Sequence, residues 1–172
     1  MIFLTVGSAL PFDRLVRLID DAASKRLITE PVFAQIGNGH YIPSNMEFVR
    51  ILPRSEFDAC FDRASAIISH AGIGTIGAAL KVRKPLLVMP RSKALGELVD
   101  DHQLVTAEKF AALGHVLMFR DRVELIANLE RLDGFVPAMR HPNIEGIAVT
   151  IGRFLSGLFL DAQRQESSAR IP

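Results

Sequence analysis

The sequence predicts an α/β domain with a mostly parallel sheet and helices on both faces, and three observations carry that reading. Short apolar runs alternate with longer amphipathic segments from end to end, the order of strands and crossover helices. The first run, Ile2–Val6, is continuously apolar rather than alternating, as suits a strand buried on both faces. Near the middle, Ile67-Ile68-Ser69-His70-Ala71-Gly72-Ile73-Gly74-Thr75 runs from an apolar strand through a glycine-rich turn straight into a helix. Together they describe a single Rossmann-like domain.

The elements follow in order. After the first strand, Leu15, Val16, Leu18 and Ile19 form the apolar stripe of a helix over Asp13–Ala23. Val32–Ile36 and Phe48–Leu52 are the next strands, separated by the turn residues Gly37-Asn38-Gly39 and Pro43-Ser44-Asn45. Ser55 can cap a helix reaching Arg63, and Ala66–Ser69 is a short buried strand. The helix opened by Gly72–Thr75 extends to Val82, and Pro85–Met89 is a strand that Pro90 ends, starting a long polar loop. A helix from Asp101 to Ala112 stops at Gly114. Val116–Phe119 is the last strand, Val123–Arg131 a helix, and Glu145–Leu160 a final helix. The domain spans 1–162, and the polar tail 163–172 is expected to be disordered.

Composition narrows the function classes. With 49% hydrophobic and 23% charged residues in 172, the chain can bury a core without metals or disulfides. Its only cysteine, Cys60, excludes an internal disulfide and suits a reducing, cytoplasmic compartment. A net charge of +1 leaves no basic excess for nucleic acid. The apolar N-terminus has no basic n-region, and no run approaches the roughly 20 apolar residues of a membrane span.

Three junctions carry candidate chemistry. The turn at Gly72, Ile73, Gly74 and Thr75 would present backbone N–H groups and a positive helix end to an anion, best a diphosphate. A tight turn that needs glycine only for packing would show the same spacing. Gly7 and Ser8 open a second junction, where Ser8 suits either a phosphate or the turn itself. Leu95-Gly96-Glu97-Leu98-Val99-Asp100-Asp101-His102-Gln103 forms the third. There Asp101 is a candidate N-cap, and Glu97, His102 and Gln103 could face a polyol or simply a solvated helix start.

In order along the chain stand Val6-Gly7-Ser8, Pro11-Phe12-Asp13-Arg14-Leu15, Gln35-Ile36-Gly37, Ser69–Thr75, Lys84-Pro85-Leu86 and Asp101-His102-Gln103. This set resembles the C-terminal domain of family-28 glycosyltransferases, one half of a GT-B fold. It is similar in particular to the catalytic subunits of two-chain UDP-sugar:polyprenyl-diphosphate-sugar transferases. Met89-Pro90-Arg91 and Leu95-Gly96-Glu97 match the bacterial exopolysaccharide branch.

The resemblance implies a UDP-sugar donor, no metal or other cofactor, a lipid-linked acceptor and a membrane-attached acceptor-binding partner. The protein would then lie at the inner face of the membrane through that partner. It places the diphosphate at Gly72–Thr75 with Gly7 and Ser8 opposite, and Asp101, His102 and Gln103 near the sugar. His70 is the candidate catalytic base, or else a residue that orients the turn. One departure stands out: relatives carry a ribose-binding glutamate where this chain has Ala78, and Glu97 is the candidate replacement. A non-catalytic nucleotide-sugar-binding or regulatory subunit is the alternative. The apolar positions of the final helix suit packing on the domain's own sheet or docking on a partner.

Overall fold

The computed structural model describes residues 1–139. In chain order these form β1 (Ile2–Thr5), α1 (Asp13–Ser24), β2 (Val32–Gln35), β3 (Glu47–Val49), α2 (Arg54–Arg63) and β4 (Ala66–His70). There follow α3 (Ile73–Lys81), β5 (Leu86–Met89), α4 (His102–Ala112), β6 (Leu117–Met118) and α5 (Arg122–Leu132). The final helix expected over 145–160, the domain end at 162 and the polar tail lie outside the described residues.

All neighbouring strands pair in parallel, in the spatial order β3-β2-β1-β4-β5-β6. That is the doubly wound order, in which the chain reverses direction between β1 and β4. The register sets Thr5 beside both Gln35 and Ser69, so β1, β2 and β4 end level at one edge. A crevice opens outside the carboxyl ends of the strands at such a reversal.

The apolar run of each central strand divides between two cores. Leu4, Ile68, Leu87 and Met89 pack with Leu15, Val16 and Ile19 of α1 and Leu125 of α5. Their neighbours Phe3, Ile67, Leu86 and Val88 pack on the other face with Phe61 of α2, Ile76 of α3 and Ala107 of α4. Adjacent residues thus serve opposite faces, the period of two that a strand imposes. This is why the runs are unbroken: neither face meets water. Cys60 is buried in the second core.

Several element ends differ from expectation. The second helix starts at Arg54, with Pro53 rather than Ser55 at the cap position and no capping side chain. Proline holds the required φ and its carbonyl accepts the Phe57 N–H, so no side chain is needed. The third strand ends at Val49 rather than Leu52, because its partner leaves the sheet into the turn at Gly37. The last helix described begins at Arg122, capped by the Asp121 carboxylate on the Glu124 N–H at 2.9 Å.

Candidate active site

A cleft of about 880 Å³ opens at the carboxyl edge of the sheet, where β1 and β4 meet. One wall is the loop after β1, with Gly7, Ser8, Ala9 and Leu10; facing it is the turn after β4, with His70, Gly72, Gly74 and Thr75. The cleft continues between α2 and α3, past Phe57, Phe61 and Ala78. Gln103 and Arg91 also line it.

The β4–α3 turn presents its backbone. The first helical hydrogen bond of α3 joins the Ile76 N–H to the Gly72 carbonyl at 3.0 Å. The amides of Ile73, Gly74 and Thr75 therefore have no helical partner, and no side chain caps them. No acidic residue occupies the first turn. The positive end of the helix is left without a capping side chain.

The glycines of this region have two separate reasons. A Cβ on Gly7 would lie 2.7 Å from Cε1 of His70, and Gly7 also has φ +80°. A Cβ on Gly72 would overlap the same imidazole from the other side, 2.9 Å from Cδ2. These two glycines are packing residues that make room for His70. A Cβ on Gly74 would meet nothing within 4 Å. Of the two meanings that the spacing allowed, packing fits Gly72, and Gly74 is open.

His70 packs against both walls. Burial pushes its imidazole down to about 4, the Arg91 charge adds to the shift, and the Thr5 backbone opposes it. Nδ1 is buried without a hydrogen bond. The ring is therefore neutral at physiological pH, and a group with so low a pKa accepts a proton poorly there. Its environment suits the orienting role better than that of general base.

Glu97 requires a correction. Its two carboxylate oxygens each accept from Arg14 at 2.7 Å, and one also accepts the Ser92 N–H at 2.9 Å. It lies outside the cleft lining, so it braces the β5–α4 loop instead of replacing a ribose acceptor. Asp101 does not cap α4 through its side chain, which accepts the Lys93 N–H at 3.0 Å. It is Asp100 that accepts the His102 N–H, at 3.1 Å, and it also contacts the exposed His102 ring. Asp101, His102 and Ile73 stand outside the cleft lining as well. Gln103 is buried at the cleft, and its Oε1 accepts the Arg91 N–H at 3.1 Å.

Sequence reasoning assigned no role to Arg91, Thr5 or Gln35. The hydroxyl of Thr5 donates to Gln35 at 3.1 Å and accepts the Gly7 N–H at 3.2 Å, fixing the start of the first loop. The available signal was position: Arg91 follows a buried strand at the carboxyl edge, where ligands bind.

The model of the glycosyltransferase family 28 C-terminal domain matches residues 1–135. The chain belongs to this family. Among its relatives is the UDP-N-acetylglucosamine transferase subunit ALG13 of Yarrowia lipolytica, 27% identical over 81% of this chain and 71% of that protein. The ALG13 subunit of Saccharomyces cerevisiae is 36% identical over 51% of this chain and 44% of its own length. Most curated relatives are thus matched over less than half their length.

Among solved structures, the NMR structure of ALG13 superposes with a TM-score of 0.58 at 21% identity, covering 85% of this chain and 93% of that one. The crystal structure of the kitacinnamycin glycotransferase gives 0.54 at 22%, covering 78% of this chain and 37% of that one. These likenesses show the fold, that of one Rossmann-like half of a GT-B glycosyltransferase.

Proposed function

We propose that this family-28 domain is the donor-binding subunit of a two-chain transferase. It binds a UDP-sugar and passes a hexose or hexosamine-type sugar to a lipid-linked, polyprenyl-diphosphate acceptor. The observation that carries this reading is the uncapped N-terminus of α3, open at the crevice where the sheet reverses. The free amides of Gly74 and Thr75 at a helix end favour the diphosphate of the donor, and no metal is needed to hold it. UDP leaving with negative charge would be stabilised by the same groups.

The names of the ALG13 relatives, each a transferase subunit, support a second chain. So does the carboxyl edge itself. Leu10, Ile51, Ile73, Leu95 and Val99 are all exposed there, on loops or helix starts that surround the cleft. An apolar rim of this kind suits an acceptor-binding chain closing over the donor and excluding water. Among the described residues no helix is long and apolar enough to cross a membrane. Attachment at the inner membrane face would come from that partner.

The test is calorimetric titration of UDP into the wild type and Gly74→Asp. A side chain is tolerated sterically at this position, but its charge opposes the diphosphate. UDP affinity should fall at least tenfold, about 1.4 kcal/mol. Unchanged affinity in the folded variant would put the site elsewhere. One observation favours the non-catalytic alternative: Ala78 lines the cleft with a methyl group while Glu97 is committed to Arg14. Sugar transfer by the co-expressed pair that is lost when this chain carries Gly74→Asp would exclude that alternative.

A further inference from the structure

Arg91 is 3% exposed and makes no ion pair with any described carboxylate. The carboxylate whose charge it feels, Glu97, is already bound by Arg14. A buried guanidinium without a counter-anion is costly unless dipoles replace the water it has lost. Here they do so in part. Nη2 donates to the carbonyls of Val6 and Leu10, both at 2.8 Å, and Nε reaches the Pro11 carbonyl at 3.5 Å. The guanidinium carbon lies 4.8 Å from the centre of the Phe12 ring. Nη1 has no partner among the described residues, yet it is not a buried orphan. The side chain lines the same cleft as Gly7, Gly72 and Gly74.

We propose that Arg91 binds the diphosphate of the nucleotide donor directly, its unpartnered Nη1 supplying a charged donor from the side of the cleft across from α3. This rests on the donor reading above. The missing counter-charge of Arg91 is then the ligand's own. The three carbonyl contacts hold the β1–α1 loop against the guanidinium, so the cation is fixed before the ligand arrives. Its planar fork can strap the loop with one nitrogen and meet an oxyanion with the other, a division that lysine cannot reproduce.

The experiment compares UDP and uridine binding to the wild type, Arg91→Gln and Arg91→Lys. A charge-assisted contact predicts at least about a tenfold loss of UDP affinity in Arg91→Gln, with uridine affinity unchanged and Arg91→Lys intermediate. Equal losses for both ligands would reduce Arg91 to a structural strap and overturn the proposal. Should the variants fail to fold, side-chain nitrogen NMR of the wild type decides the matter. The Arg91 signals should move on adding UDP or inorganic pyrophosphate and stay fixed with uridine. Movement with pyrophosphate alone would sink the UDP reading and leave the anion site standing. No movement with either would sink this proposal.

Discussion

Two strand-to-helix junctions flank the cleft, and they use their polar groups in opposite ways. The turn from β4 to α3 is poor in polar side chains and leaves three amides without partners. The loop from β5 to α4 is rich in them and, Nη1 of Arg91 apart, commits them to partners within the protein. Glu97 holds Arg14 and the Ser92 N–H, Asp101 holds the Lys93 N–H, and Asp100 holds the His102 N–H. On the proposed donor reading, the ligand site is marked by partners that are missing, and the brace by partners that are satisfied. Polar residues at a strand's carboxyl end are therefore weaker pointers to binding than an uncapped helix.

The largest expected effect concerns His70, which opens the β4–α3 turn and packs against the loop after β1. Its folded pKa, about 4, lies below the unfolded value near 6.5. Between those values the unfolded chain binds the proton and the folded chain does not. Stability is then fully present above pH 6.5 and falls as the pH drops toward 4, by about 3 kcal/mol. Urea unfolding at several pH values should show this excess slope in the wild type relative to His70→Asn. Parallel profiles would mean that the imidazole is not held neutral between the two walls.

Within the β4–α3 turn the glycines should separate next. Gly72→Ala drives a methyl group into the His70 ring and should cost about 1–3 kcal/mol, the range for overpacking. Gly74→Ala meets only open space and should leave stability unchanged or raise it by up to about 1 kcal/mol, since alanine is the better helix former. Similar unfolding midpoints for the two variants would break the distinction between packed and open glycine.

Glu97→Ala sharpens the other half of the comparison. It leaves the partly buried Arg14 without its carboxylate and frees the Ser92 amide. A loss of roughly 1–2 kcal/mol in thermal or urea unfolding is expected. UDP affinity of the folded variant should change less than in Gly74→Asp. A larger loss of UDP binding than in Gly74→Asp would return Glu97 to the donor site.

Much of the fold was legible because its causes are local. Continuous apolar runs at Ile2–Leu4 and Ala66–Ile68 mark strands with two dry faces, and the stripe from Leu15 to Ile19 marks a helix on one of them. Helix ends were read less well. Gly114 closes α4 with φ +69°, as expected, yet Arg26 and Arg83 take the same left-handed position after α1 and α3. The backbone hydrogen bonds there match those at Gly114, joining Leu27 to Ala22 and Lys84 to Ala79. An arginine gives no sign of that role in a sequence, because the packing of the helix ends imposes it.

The sequence by itself determined the α/β class, the order of the described elements and the family, and it singled out the turn at Gly72–Thr75 as a candidate site. Each depends on residues adjacent in the chain or on an ordered set of motifs. Only the tertiary structure decided which glycines make room for His70, that Glu97 is a brace, and that Arg91 is a buried cation on the cleft. Those facts depend on contacts between residues far apart, 83 positions from Arg14 to Glu97 and 85 from Val6 to Arg91. The parallel sheet brings them together because β1 and β5 both flank β4, so their carboxyl-end loops meet above it. No spacing in the chain encodes which partner each charge will find there.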